Sequence, residues 1–506
     1  MNKKRKEFGD FQTPQELATK VTSLVSDIYG NPDLVVEPTA GIGSFLNASN
    51  AQWGKECQYE GYEINQDYVA RAYETLKTCG VKLFNRDFFT LDWKQVLNRT
   101  ASGRVLVIGN PPWVTNSELG FLGSQNRPQK TNFQKLRGLD ARTGKSNFDI
   151  AEWMLIRLIE AIPPNGAVAM LCKTMTARKV LRHFWKTDGG RKGACLFRID
   201  AKAFFAVAVD ACLLFLTSVR TNERVATIYD DLCLKSPTRQ FGFIDGDLVS
   251  DINIYRKFRE FGSGSLAYTW RSGIKHDAAK VMEFTREGGL YRNGLGETVE
   301  LEDHYLYPLL KSSDLGNGRS VPRKAVLVTQ KHIGDDTSII ENEAPKTWQY
   351  LINHAATLDG RKSSIYKNRP RFSVFGVGKY SFSSWKVATS GLYKSFSFSV
   401  VPPLANRPVM VDDTCYSIPC NTEAEARLLC DLLSSEPALA FLRSLVFADA
   451  KRPITIDILR RISFVSVAQQ LGRLEELEQF IHSEELNFEA KQQMTLLMEP
   501  RSSYPV

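Results

Sequence analysis

The sequence predicts an α/β protein: a doubly wound, Rossmann-like sheet over residues 1–236, followed by a mixed, β-rich second domain. Three observations carry this. Short apolar runs at 34–36, 104–108, 166–172 and 211–216 have the unbroken hydrophobicity of strands buried on both faces. They alternate with stretches of helical period, the pattern of a mostly parallel sheet. Beyond residue 240 that period fades, and aromatic, Ser- and Gly-rich segments replace it until helical pattern returns after 422.

Taken in order, 13–29 reads as an amphipathic helix, with Leu17, Val21, Leu24, Val25 and Ile28 on one stripe. Thr13 is the expected cap, Pro14 suits the first turn and Glu16 stands three residues past the cap. The strand 34–36 leads into Glu37-Pro38-Thr39-Ala40-Gly41-Ile42-Gly43, a turn that opens a helix. Its two glycines permit positive φ or close backbone approach. It lacks the three spaced glycines of a dinucleotide fingerprint and the Gly-Lys-Ser/Thr of a phosphate loop. A strand at 59–64, a helix at 67–78 and strands at 81–84 and 104–108 follow. Residues 148–162 return to helical period, with Ala151, Leu155, Leu158, Ile159 and Ile162 on one face. Helices are expected again at 423–433 and 471–480, the last within a C-terminal helical segment, 461–506.

Composition bounds the function. The 506 residues carry a net charge of +9, with 43% hydrophobic and 24% charged residues, which excludes a disordered or low-complexity scaffold. No apolar run approaches the ~20 residues of a membrane span, and no apolar stretch follows the basic start as in a leader peptide. Nine cysteines without any Cys-x-x-Cys pair point to reduced thiols, a cytoplasmic location and no metal site. Residues 345–410 hold ten Lys or Arg and one acid, Asp359, so this stretch alone matches the net charge of the chain. Eleven aromatics interleave those cations, as in nucleic-acid-binding surfaces.

The chemistry concentrates at predicted strand ends, where ligands bind in such sheets. Asn110-Pro111-Pro112-Trp113 directly follows the strand 104–108 and Gly109. Two prolines cannot continue a central strand, so they make a stiff turn. On it, the Asn110 side chain and the Pro111 carbonyl offer two acceptors for the hydrogens of an exocyclic amine, and Trp113 a flat face for a base. Glu63 ends the second strand, in reach of a ribose diol; Asp87, beside Phe88, ends the third, in reach of an adenine amine. In isolation each of these two acids reads first as a solvated strand end.

In this order, Thr13-Pro14, Glu37-Pro38-Thr39-Ala40-Gly41-Ile42-Gly43, Glu63, Asp87 and Asn110-Pro111-Pro112-Trp113 resemble the motifs of DNA adenine-N6 methyltransferases of restriction-modification type. The arrangement is gamma-like: an N-terminal cofactor motif, the catalytic domain, then a target-recognition domain. The resemblance covers about residues 8–220; the segment Tyr380–Val387 more loosely resembles recognition domains of such methylases. It departs at the fourth motif residue, Trp where Tyr or Phe is commoner, a change that preserves stacking.

The resemblance implies a methyltransferase domain at 1–236, a DNA-binding recognition domain at 237–460 and S-adenosylmethionine as cofactor. Thr13, Glu37, Thr39 and Gly41 would surround its methionine part, Glu63 its ribose, Asp87 and Phe88 its adenine, with Gly43 also among the cofactor-binding residues. Phe148 matches a cofactor-contacting aromatic. Asn110, Pro111, Pro112 and Trp113 would be catalytic, with Trp113 stacked on a flipped adenine. Phe205, or Phe204 beside it, would pack on the base's other side. The residues expected to meet double-stranded DNA are Lys362, Lys367, Arg369, Arg371, Lys379, Lys386 and Lys394. The implied setting is a restriction-modification or phage-defence system, with a separate restriction endonuclease as a partner. Cytosine-N4 methylation, or a modification subunit that needs a partner for activity, are the alternatives. Asn rather than Ser before Pro-Pro leans towards adenine. Methylation of a protein glutamine, which uses a similar motif, leaves the large basic segment without a role. The insertion 114–147 is read equally as a DNA-closing element or a surface loop.

Overall fold

The computed structural model describes residues 11–99, 103–114, 149–235, 237–265, 267–447, 449 and 452–481. The insertion 115–148, with Phe148, and the stretch 482–506 lie outside them. The chain forms two compact units, Met1–Ile252 and Asn253–Val506.

The first unit is built on one ten-stranded sheet. Its elements, in chain order, are α1 (Gln15–Tyr29), β1 (Leu34–Glu37), α2 (Ser44–Trp53), β2 (Gln58–Glu63), α3 (Gln66–Leu76), β3 (Lys82–Asn85), α4 (Trp93–Leu97), β4 (Val105–Gly109), α5 (Ile150–Ala161), β5 (Ala167–Lys173) and α6 (Thr174–Thr187). There follow β6 (Cys195–Ile199), α7 (Ala201–Phe205), β7 (Ala211–Thr217), β8 (Val225–Tyr229), β9 (Pro237–Ile244) and β10 (Asp247–Val249). The strand order is β10-β9-β8-β6-β7-β5-β4-β1-β2-β3. The β3-β2-β1-β4-β5 half is parallel, while β7 runs antiparallel to both β5 and β6. The order reverses between β1 and β4, and that switch point opens a crevice at the carboxyl ends of the strands.

The core explains why the sheet forms where the apolar runs lie. All five residues of β4 are buried, as are Val35 and Val36 of β1. Leu17, Val21 and Val25 on α1 and Phe45 and Leu46 on α2 close one face over Val35, Leu106 and Ile108. The helix α1 departs from its expected start: its N-cap is Pro14, with no side-chain cap hydrogen bond, so the Thr13 hydroxyl is free for another partner. The expected domain boundary at 236 also moves. Strands β9 and β10 extend the first sheet, β9 pairing antiparallel with β8 and β10 antiparallel with β9, and Phe241 and Val249 are buried there.

The second unit contains β11 (Arg271–Ser272), β12 (Glu283–Glu287), β13 (Leu290–Asn293), β14 (Thr298–Val299), β15 (Leu306–Leu310), β16 (Lys324–Leu327), α8 (Pro345–Asn353), β17 (Trp385–Ser390), β18 (Phe398–Val401), β19 (Met410–Val411), β20 (Cys415–Cys420) and α9 (Glu423–Ser434). One sheet has the order β14-β13-β12-β16-β15-β19 and the other β11-β20-β17-β18. The helix α9 packs on β17 and β18, and α10 (Phe464–Gln470) packs on α9. Residues 461–481 are therefore integrated in this unit rather than appended to it. Glu283 is buried between Lys311 Nζ (2.5 Å), Lys324 Nζ (2.8 Å) and His276 Nε2 (3.4 Å). Burial pushes its carboxyl up, but the hydrogen bonds from these three groups outweigh that and hold it well below the usual carboxylate range.

Candidate functional site

At the switch point the ends of β1, β2, β3 and β4 surround a cleft of about 940 Å³, counted to its open mouth. Each strand delivers its last residue or the turn after it. Glu37 closes β1, and its carboxylate accepts the Leu46 N–H at 3.3 Å. It is only 3% exposed, and burial pushes its carboxyl well above the usual range, with nearby Glu63 adding to the effect. Glu63 closes β2. Its two oxygens accept the N–H groups of Gly41 (2.9 Å) and Asn65 (2.8 Å), which fixes the carboxylate at the rim. Asp87 follows β3 and accepts the Phe89 N–H at 3.0 Å. Gly41, at φ +53°, turns its N–H to Glu63; a side chain there would meet Gln12 Oε1 at 2.6 Å.

The turn after β4 carries Asn110. Its Nδ2 donates to the Phe11 carbonyl (3.1 Å) and to Thr13 Oγ1 (3.3 Å). Its backbone carbonyl accepts the Thr39 hydroxyl at 3.2 Å. With the nitrogen end so held, Oδ1 is buried and, among the described residues, has no hydrogen-bond partner. A buried acceptor left unpaired costs roughly 1–3 kcal/mol, which a ligand donor recovers.

The cleft brings together Thr13, Glu37, Thr39 and Gly41 with Glu63, Asp87, Phe88, Asn110 and Pro112. Other expected site residues lie elsewhere. Gly43, at φ +83°, faces α3, where a side chain would meet Leu76 Cδ1 at 2.6 Å; it serves helix packing rather than a ligand. Pro111 and Trp113 are buried behind the cleft wall. Trp113 and Phe205 meet edge-to-face, with ring centroids 5.2 Å apart, and Phe11 touches both. A base held between two rings needs roughly twice the ~3.5 Å contact distance, so the expected slot between Trp113 and Phe205 is closed. Phe148 is not among the described residues.

Sequence reasoning missed Phe11, Gln12, Arg86 and Phe89, and also Ile150 and Met154, all of which line the cleft. Gln12 accepts the Ile42 N–H at 3.1 Å and so ties the chain before α1 to the turn after β1. Its place beside Thr13-Pro14 was the available signal. Ile150 reaches the cleft because its N–H pairs with the Val114 carbonyl at 3.0 Å, a bond across the insertion that no local pattern encodes.

In the second unit, Lys362, Lys367, Arg369, Lys379 and Lys394 are exposed. One expected DNA contact is corrected. Lys386 is 2% exposed, because β17 is buried on both faces from Lys386 to Ser390, and its Nζ donates to the Ser383 carbonyl at 2.5 Å. Arg371, though exposed, is already engaged by both carboxylate oxygens of Asp359.

Three carboxylates and one cation, Arg86, line the cleft, which suits a ligand that bears positive charge. The fold and this acid-lined crevice define an α/β methyltransferase whose cofactor is S-adenosylmethionine. No protein-family model matches the sequence. The Type II methyltransferase M.NspV of Nostoc sp. (strain ATCC 29411 / PCC 7524) is 41% identical over 475 residues, 93% of this chain and 98% of the relative. The solved structure of the Type IIL restriction-modification enzyme MmeI in complex with DNA superposes with a TM-score of 0.50 at 14% identity. That match spans 95% of this chain and 72% of MmeI, and it bears on the fold. The chain belongs to the Type II methyltransferase family of restriction-modification systems.

Proposed function

We propose that this chain is a site-specific DNA adenine-N6 methyltransferase that modifies an adenine turned out of the duplex. The single observation that carries the reading is the buried Oδ1 of Asn110, which has no hydrogen-bond partner among the described residues, while its own amide hydrogens are already committed to Phe11 and Thr13. It is an acceptor waiting for a donor, and the donor that fits is an exocyclic amine.

When bound, S-adenosylmethionine supplies an electrophilic methyl carbon. Glu37 would hold negative charge against its methionine part, Glu63 would accept hydrogen bonds from the ribose hydroxyls, and Asp87 beside Phe88 would stand at the adenine end. Asn110 Oδ1 and the Pro111 carbonyl accept the two amine hydrogens of the target. That frees the nitrogen lone pair from the ring and aims it at the methyl group. The methyl group would pass to that nitrogen, S-adenosylhomocysteine would leave with the electron pair of the broken carbon–sulfur bond on its sulfur, and the methylated nitrogen would release one proton to solvent. A base within a duplex cannot reach such a site, so the base must leave the stack. To receive it, the Trp113 and Phe205 rings separate. The exposed cations of the second unit serve the phosphates, and its side chains read the site. A separate restriction endonuclease completes the system.

The test is to incubate the protein with labelled S-adenosylmethionine and unmethylated DNA, digest to nucleosides and identify the product. N6-methyladenine is expected. N4-methylcytosine would overturn the target base, and absence of transfer to any DNA would overturn the stand-alone enzyme.

A further inference from the structure

An amide side chain can turn over and exchange its oxygen for its nitrogen, so an asparagine is an acceptor at a given point only if something holds it that way. For Asn110 the holding groups come from the chain just before α1, about a hundred residues away. The Phe11 carbonyl can only accept, so it admits the nitrogen of Asn110 and opposes its oxygen. The Thr13 hydroxyl takes the same nitrogen, and it is available because α1 does not use it as a cap. The segment between is itself pinned, by the Ile42 N–H on Gln12 Oε1 and by the Phe11 ring against Trp113 and Phe205. The same three residues therefore touch the turn of the cofactor cleft, the catalytic asparagine and the aromatic pair.

We infer that Phe11 and Thr13 are positioning residues, which set the Asn110 amide so that Oδ1 faces the target amine, and that Thr13 acts on catalysis through Asn110 rather than by holding cofactor. The inference rests on the reading of Asn110 as acceptor for that amine. Thr13→Val keeps the shape of the side chain and removes the hydroxyl. The experiment measures single-turnover methyl transfer at saturating cofactor and DNA, cofactor affinity by calorimetry and the melting temperature, for wild type, Thr13→Val, Thr13→Ala and Thr13→Ser.

The transfer rate is expected to fall roughly ten- to a hundredfold in Thr13→Val and Thr13→Ala, since a misaligned reacting group costs about that much. Cofactor affinity stays within about twofold, and Thr13→Ser recovers most of the rate. Thr13→Ala with Thr13→Ser decides the matter if the valine variant does not fold. Weakened cofactor binding with an unchanged saturated rate would make the hydroxyl a cofactor contact and overturn the inference alone. So would an equal loss in the serine variant. Wild type that transfers no methyl to an exocyclic amine would overturn the reading of Asn110 and the inference with it.

Discussion

Glu37 is a nearly buried carboxylate in a cleft that takes a cation, and that pairing has a pH signature. Burial holds its carboxyl well above the usual range, so at low pH the cleft offers a neutral acid. The ionised form meets a sulfonium better, and binding a cation pulls the proton off. Affinity for S-adenosylmethionine should therefore rise with pH through the elevated range, while S-adenosylhomocysteine, with a neutral sulfur, shows a flatter profile. Calorimetric titrations of both from about pH 5 to about pH 8 check this; equal slopes would remove Glu37 from the sulfonium's surroundings. Single residues were also where the sequence was most and least informative. Glu37 and Asn110 were legible because each stands at the end of an apolar strand, where ligands collect, whereas Glu63 and Asp87 were legible only through the order of the motifs around them. Thr13 was read as a helix cap or cofactor contact, since local spacing cannot show a bond to a residue 97 positions away.

At the scale of the element, β17 tests how a charge is carried inside a sheet. Lys386 stands opposite Val401 and Pro419, and burial lowers its ammonium to about 8. The sign follows from the depressed folded value. Below about pH 8 folded and unfolded chains both hold the proton, and the fold bears the full cost of the buried charge. Between about 8 and about 10.4 the unfolded chain binds more protons, so stability gains with pH; above that the cost is gone. Lys386→Met should be more stable than wild type by about 2 kcal/mol at pH 7, after allowing for the lost bond to Ser383, and the gap should close near pH 10. Denaturant unfolding of both proteins at the two pH values measures it; a gap independent of pH would contradict the buried ammonium. Within a run of ten cations the sequence could not tell which side of a strand a lysine takes. By contrast β4 was legible to within a residue, because five consecutive apolar residues fit only a strand covered on both faces. The strands β8 and β9 escaped notice, since Thr227 and Gly242 interrupt their apolar residues and leave no apolar run.

At the scale of the molecule, the first unit holds the cleft and the second carries the exposed cations Lys362, Lys367, Arg369, Lys379 and Lys394. If those cations grip phosphates, binding must be salt-dependent. Replacing Lys362, Lys367 and Arg369 together by alanine should weaken DNA binding and flatten the plot of log affinity against log salt by about one unit for each phosphate no longer neutralised. An unchanged slope would place the phosphate-binding cations elsewhere. The fold class was legible from alternating strands and helices, but the boundary between the units was not, because β9 and β10 join the first sheet by pairing rather than by composition. If Asn110 serves the transfer step and not the binding of either substrate, Asn110→Ala separates the two. Measured for methyl transfer, cofactor affinity and DNA affinity in one preparation, the variant should lose transfer by about a hundredfold or more with both affinities nearly unchanged. Transfer that survives the substitution, or falls only in step with cofactor binding, would contradict that role.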